Sequence, residues 1–308
     1  MRLFITIALS LLSLNAFAQS CGQQGEEQSI LTREIVRDVQ VVHNVSPSVP
    51  EYVVFAGDTI RFDTEEKYER MDRELITFSY MHTNSTLMLK RSERIFSKIV
   101  PILKERGLPE DLKYLMAIES NLDPKALSSA KAAGLWQFMK GTATQYGLEV
   151  TEEVDERYHI EKETVAACKY LKESYARYHD WMTVAASYNA GQAGISKRLA
   201  DQHQASAMDL WMFEETTRYM YRILACKMMF ENPEAFGFDV KDRYPVIPDK
   251  KVVEVSSSDV DLVKLAEDNG VSYAELKRAN LWLRGSKLTN KAGKTYKVTI
   301  PGRLTSDR

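Results

Sequence analysis

The sequence predicts a mainly α-helical chain that ends in a small α+β domain of βααβ order. Three observations predict it. Apolar residues recur at spacings of three and four through residues 65–235, and no strand pattern of any strength occurs there. The composition shifts after Gly237, with Tyr244-Pro245-Val246-Ile247-Pro248 punctuating the change. Residues 251–302 then read strand, helix, helix, strand.

The chain has 308 residues, with 41 Lys plus Arg against 43 Asp plus Glu and a formal charge of −2. Hydrophobic residues make up 44% and charged residues 27%. These values exclude a disordered tail, a collagen-like fibre and a polytopic membrane protein. The near-neutral balance argues against nucleic acid as a partner, because phosphate binding needs a basic surplus. The average conceals an asymmetry. From residue 250 onward there are 12 Lys/Arg and 7 Asp/Glu, a net of +5, so residues 19–249 carry −8. Length alone suggests about two domains.

The elements follow in order. Met1-Arg2 is a positive start, Leu3 to Leu14 an apolar run, and Ala16-Phe17-Ala18 a small-x-small cleavage site. Residues 1–18 therefore read as a secretory signal peptide and predict export to the periplasm or cell envelope. Cys21 follows Ala18-Gln19-Ser20, where Gln19 fits a lipoprotein box poorly. Cleavage after Ala18 is expected, and a lipid anchor at Cys21 is the alternative. Residues 19–64 form a polar lead-in in which 51–63 reads as a short hairpin turning at Ala56-Gly57-Asp58.

A helical domain is expected over 65–240. Met71, Leu75, Phe78 and Met81 mark its first helix, over 68–81. Ile95, Phe96, Ile99, Ile102 and Leu103 mark the second, over 85–106, where Pro101 should kink it or start a new helix and Gly107 stops it. Helices are further expected over 111–120, 161–178, 182–190 and 214–230, with 121–141 as loop and turn. Residues 241–250 read as a linker. In the last domain, 251–255 and 296–300 read as strands, and 260–269 and 273–280 as helices.

Glu119 stands out chemically. It follows Leu115-Met116-Ala117-Ile118 at the end of a helix otherwise made for a core. Desolvation raises the pKa of such a carboxyl, and the negative end of the helix dipole pushes the same way. A carboxylic acid protonated near neutral pH suits general acid catalysis. Taken alone, Glu119 reads rather as a helix-end side chain that reaches solvent.

Four blocks occur in order: Ala117-Ile118-Glu119-Ser120, Gly134-Leu135-Trp136-Gln137-Phe138-Met139, Ser187-Tyr188-Asn189-Ala190-Gly191 and Glu215-Thr216-Thr217-Arg218-Tyr219. Together they resemble the lytic murein transglycosylases of glycoside hydrolase family 23. Asp155-Glu156-Arg157-Tyr158 and Ala166-Ala167-Cys168-Lys169-Tyr170-Leu171 are similar to its D-type branch. The resemblance covers about residues 65–235 and implies a goose-lysozyme-like fold.

The resemblance implies that Glu119 is a single acid and then base. It would cleave the bond between N-acetylmuramic acid and N-acetylglucosamine in peptidoglycan glycan strands and close a 1,6-anhydro ring without water. No protein nucleophile is implied, unlike the paired carboxylates of most glycosidases. Ser128, Gln137, Met139 and Asn189 match positions that line the saccharide groove. Tyr188 and Tyr219 match aromatic positions beside the acid. Glu215 matches the family's helix carboxylate, a structural or supporting partner of the acid rather than a second catalyst, and Ser120 would help seat the loop after Glu119. Trp136 reads as core, and Gly134, Gly141 and Gly191 as backbone turns.

Residues 251–302 more loosely resemble a LysM module, a βααβ peptidoglycan-binding fold. Leu281-Trp282-Leu283-Arg284-Gly285 departs from the usual Asn-Pro at the start of that loop, and Val260-Asp261-Leu262 from the usual opening of the first helix. The module therefore reads either as a glycan binder or as a structural cap. Its basic surplus also suits contact with anionic wall polymers or a membrane surface.

No cofactor is implied and no metal site is visible: the histidines, at 43, 82, 159, 179 and 203, form no ligand pattern. Cys168 and Cys226 read as core residues, with a disulfide between them left open. A muramidase that uses water, or a non-catalytic murein-binding scaffold, are the alternative functions.

Overall fold

The computed structural model describes residues 46–291 and 293–303. The signal peptide, Cys21 and the lead-in up to residue 45 lie outside the described residues. The described chain is mainly helical, with a small strand-containing region at its C-terminal side. No described helix is long and apolar enough to cross a membrane.

Strands β1 (Tyr52–Phe55) and β2 (Asp58–Arg61) open it as an antiparallel hairpin. Ala56 and Gly57 both have positive φ, 55° and 96°, which matches a two-residue turn to the strand twist. Val53 and Phe55 point inward, and the Ala56 N–H donates to Asp111 Oδ2 at 2.8 Å.

Helix α1 (Glu65–Tyr80) starts on Thr64, whose hydroxyl accepts from the Lys67 N–H, and buries Met71, Leu75 and Phe78. Helix α2 (His82–Glu105) runs unbroken through Pro101. The ring sits on the exposed face, five residues from the end, so the helix continues one more turn past it instead of restarting. Helix α3 (Leu112–Ser120) is buried on nearly every side and stops at Asn121, in the left-handed region at φ 51°.

Helices α4 (Lys140–Gln145), α5 (Ile160–Tyr178), α6 (Trp181–Ala190) and α7 (Gln192–Asp201) follow. Helix α8 (Glu214–Glu231) is central and packs against α1, α3 and α6. It has no side-chain N-cap. Such a cap is worth about 1 kcal/mol, whereas each large buried side chain contributes about 1.5–3 kcal/mol. Tyr221, Ile223, Leu224 and Met229 are all buried, so packing decides this helix.

Cys168 and Cys226 are both free thiols, so the disulfide left open by the sequence is not formed. Each is buried in the helical core, and burial pushes the Cys168 thiol up to about 11 and that of Cys226 higher still. Neither is a reactive thiolate.

The segment expected to be a linker is pinned along α2. The Tyr244 N–H donates to the Lys90 carbonyl at 2.7 Å, Arg94 Nε to the Pro245 carbonyl at 3.1 Å, and Arg243 Nη1 to Ser92 Oγ at 2.7 Å. Strand β3 (Asp249–Val255) then pairs antiparallel with β6 (Tyr296–Pro301) around α9 (Leu262–Asp268) and α10 (Tyr273–Ala279), giving the βααβ order. A second short ladder joins β4 (Val260–Asp261) to β5 (Lys287–Leu288). Val260-Asp261 is thus strand, and Asp261 caps α9 by accepting from the Val263 and Lys264 N–H groups.

Candidate active site

Glu119 is the penultimate residue of α3, half-buried, between the fully apolar turn 115–118 and the left-handed pair Asn121 and Leu122. Tyr219, on the buried face of α8, donates its hydroxyl to Glu119 Oε1 at 2.6 Å. Burial pushes the Glu119 carboxyl up to about 7. The Tyr219 hydrogen bond and the Arg222 charge oppose that shift, and the Glu215 charge adds to it. Arg222 lies one turn beyond Tyr219 on α8. The sequence reading passed over it, although its spacing from Tyr219 was visible.

Tyr188 sits on α6 with its ring against Tyr170, at 5.1 Å between centroids, and against Phe138, at 6.4 Å. Its hydroxyl donates to the Trp136 carbonyl at 2.7 Å, so that proton is committed to backbone rather than to the acid. The charge of Glu119 nevertheless reaches it and, after burial, helps push the phenol well above its ordinary value. Asn189 is the next residue on the same helix, half-buried.

Residues 126–139 form a tight loop. Ala133 and Phe138 exchange backbone hydrogen bonds, both at 3.1 Å, and the Gly134 N–H donates to the Ala126 carbonyl at 3.0 Å. Gln137 is held at φ 50°, and its amide Nε2 donates to the carbonyls of Gly134 and Ala126 at 2.8 and 3.3 Å. Ser128 Oγ accepts from the Ala132 N–H at 3.0 Å, while Met139 is exposed at 46%. Trp136 is fully buried and donates Nε1–H to Thr164 Oγ1 at 3.0 Å.

Two side chains to which the sequence reading gave no role hold this loop. Glu163 on α5 accepts the Trp136 N–H at 3.2 Å, and its other oxygen is buried with no hydrogen-bond partner among the described residues. Burial holds its carboxyl well above the usual range, against the Trp136 and Leu135 N–H groups, which favour the anion. Arg157 is clamped by Asp155 through Nε and Nη2 at 2.9 and 2.8 Å and donates Nη1–H to the Lys131 and Phe138 carbonyls. Gly134 has φ 81°, and a Cβ there would overlap the Arg157 carbonyl oxygen and the Glu163 carboxyl.

The Ser120 hydroxyl is buried and returns to the Met116 carbonyl of its own helix at 3.2 Å. The loop is seated instead by the Ser120 carbonyl, which accepts the Asp123 N–H at 3.0 Å. Glu215 is exposed in the first turn of α8 and acts on Glu119 through its charge. Among the described residues, no group of three or more His, Cys, Asp or Glu side chains is placed to hold a metal ion.

The chain also compares with known proteins. Residues 99–210 match the transglycosylase SLT domain, and residues 251–303 match the soluble lytic transglycosylase C-terminal LysM-like domain. The chain thus carries an SLT lytic transglycosylase domain followed by a soluble lytic transglycosylase C-terminal LysM-like domain. It is 30% identical over 294 residues to membrane-bound lytic murein transglycosylase D of Escherichia coli K12, covering 92% of this chain and 63% of the relative. The same figures hold for the protein of that name from Escherichia coli O6:H1. The chain thus spans less than two thirds of the length of these curated relatives. An inactive mutant of the lytic transglycosylase Slt from Pseudomonas aeruginosa aligns with a TM-score of 0.38 at 23% identity, over 49% of this chain and 26% of that one. The SLT match contains Glu119, Gln137 and Tyr188 and ends before Tyr219, whose place in the site rests on its contact with Glu119.

Proposed function

We propose that this chain is a peptidoglycan lytic transglycosylase that cleaves the β-1,4 bond between N-acetylmuramic acid and N-acetylglucosamine and leaves 1,6-anhydro-muramic ends. The observation that carries this reading is the dehydrated Glu119 carboxyl, at about 7, held by the Tyr219 hydroxyl at 2.6 Å.

An acid at this value is populated in both protonation states near neutrality, so one group can serve two steps. Protonated Glu119 gives its proton to the glycosidic oxygen as the bond from that oxygen to C1 of the muramic sugar breaks. The Glu119 carboxylate then takes the proton of the same sugar's 6-hydroxyl as that oxygen bonds to C1. No water is consumed, and Glu119 ends as it began. The N-acetyl group of the substrate supports the cationic centre between the steps, in place of a second carboxylate. The Tyr219 hydrogen bond and the Arg222 charge stabilise the carboxylate formed after the first transfer.

Ser128, Gln137, Met139, Tyr188, Asn189 and Tyr219 line the saccharide groove in this proposal. The Gln137 amide N–H groups serve the loop, which leaves its side-chain oxygen to accept from sugar hydroxyls. The N-terminal apolar run and cleavage site support action in the cell envelope.

Mass spectrometry of murein digested by the purified protein tests the reaction. Anhydro-muropeptides, one water lighter than reducing muropeptides, are expected. Reducing muramic ends would make the protein a muramidase. Unchanged glycan release by Glu119→Gln would remove Glu119 from the chemistry.

A further inference from the structure

The C-terminal module and the loop carrying Gln137 share one apolar core. Ala133 of the loop, Val154 and Tyr158 pack with Leu262, Leu276, Trp282, Leu283 and Ile300 of the module. Ala133 and Val154 are almost completely buried. Trp282, in the loop that departs from the LysM pattern, has its ring 5.5 Å from that of His159 and stacks at 5.7 Å on Tyr296.

The seam is also hydrogen-bonded. The Asp155 N–H donates to the Trp282 carbonyl and the Arg284 N–H to the Glu153 carbonyl, both at 2.8 Å. The Thr289 N–H and hydroxyl both donate to Glu153 Oε2, at 2.9 and 3.0 Å. The Arg284 guanidinium covers the Tyr158 ring at 4.4 Å.

Asp155, held on one side by the module, grips Arg157 on the other. Arg157 then reaches the Lys131 carbonyl at 2.9 Å and the Phe138 carbonyl at 3.1 Å. The Phe138 carbonyl is the one that accepts the Ala133 N–H and closes the loop around Gln137. The path from module to groove loop therefore runs from the Trp282 carbonyl through Asp155 and Arg157 to the Lys131 and Phe138 carbonyls without a gap.

We propose that the C-terminal module is a positioning element of the active site: docked on residues 153–155, it fixes the 126–139 loop through Arg157. For its effect on rate this rests on the function proposed above. The mechanical link does not. A module serving only as a wall tether would need none of these contacts.

The test uses full-length Glu153→Ala and the milder Thr289→Val, which keeps the backbone contact and stands in if Glu153→Ala fails to fold. Neither residue touches the groove loop. In hydrogen-exchange mass spectrometry, Glu153→Ala is expected to speed exchange across residues 131–138 by about tenfold, and Thr289→Val by less, with α8 unchanged. On a short soluble glycan, kcat should fall about fivefold, with KM and retention on sacculi unaltered. Arg157→Lys, which keeps the charge and loses the fork, should behave alike, and the double variant Glu153→Ala/Arg157→Lys should be no slower than Arg157→Lys alone. Faster exchange confined to 149–155 and 282–289 overturns the proposal. So does unaltered kcat with weakened retention, which leaves a tether. Absence of product from wild type, with exchange spreading as expected, removes the proposed reaction and leaves the positioning link standing.

Discussion

The Tyr219 hydroxyl and Glu119 Oε1 meet at 2.6 Å across 100 residues of sequence. The contact joins the last turn of α3 to the buried face of α8. It aims a proton donor at a carboxyl whose charge burial disfavours. The Tyr219 hydrogen bond works against burial, favouring release of the Glu119 proton.

Removing that donor should show in the pH profile. Tyr219→Phe takes away a hydrogen bond to the charged form, so the Glu119 pKa should rise above about 7. The alkaline limb of the rate profile should move up, and kcat should fall about tenfold with little change in KM. Arg222→Met should shift the limb in the same direction, and Glu215→Gln in the opposite one. An unmoved limb in all three would show that Glu119 does not carry it.

Glu119 should also be a site where stability is lost. Its carboxyl has an ordinary value of 4.5 and stands at about 7 in the folded chain. Below 4.5 both states hold the proton. Between the two values the folded state keeps it while the unfolded state has released it, so stability declines as pH rises through this window. The full loss above about pH 7 is at most about 3 kcal/mol. Glu119→Gln does not titrate. It should melt about 3–6 °C above wild type at pH 8 and level with it near pH 4, by calorimetry. Equal melting at both pH values would show a carboxyl that solvent reaches freely.

Gly134→Ala should damage the groove loop. The new Cβ would meet two groups that cannot yield, the Arg157 carbonyl and the buried Glu163 carboxyl, at a φ that disfavours any side chain. A melting point at least about 5 °C lower and kcat reduced more than tenfold are expected. A variant with wild-type melting and rate would mean that the loop relaxes without cost.

Much of this was open to reading from residue order, and the exceptions have physical reasons. Helices α1 and α8 announce themselves because their apolar residues recur on one face. Helix α7 does not: only Ile195 of its ten residues is buried, and Gly194 lies inside it. Helix α4 likewise buries only Ala143. The strand pair β4 and β5 is two residues long on each side, too short to alternate. Glu119 could be picked out because a carboxylate ends an apolar helix. The roles of Glu163 and Arg157 could not, since what they hold are backbone groups of a distant loop. Trp282 registered only as a departure from a pattern, and its packing on His159 and Tyr296 gives the departure a use.

The shared core around Ala133 bears on how such chains can be recombined. Two stretches match separate domains, and the boundary between them looks like a place to cut and paste. In space the cut would strip Ala133, Val154 and Tyr158 of their neighbours and leave an apolar scar on the donor, with a matching one on the fragment. Swapping this tail for a string of repeats, or grafting it onto another enzyme, would need a new surface on both halves. What reads as two interchangeable parts packs as one.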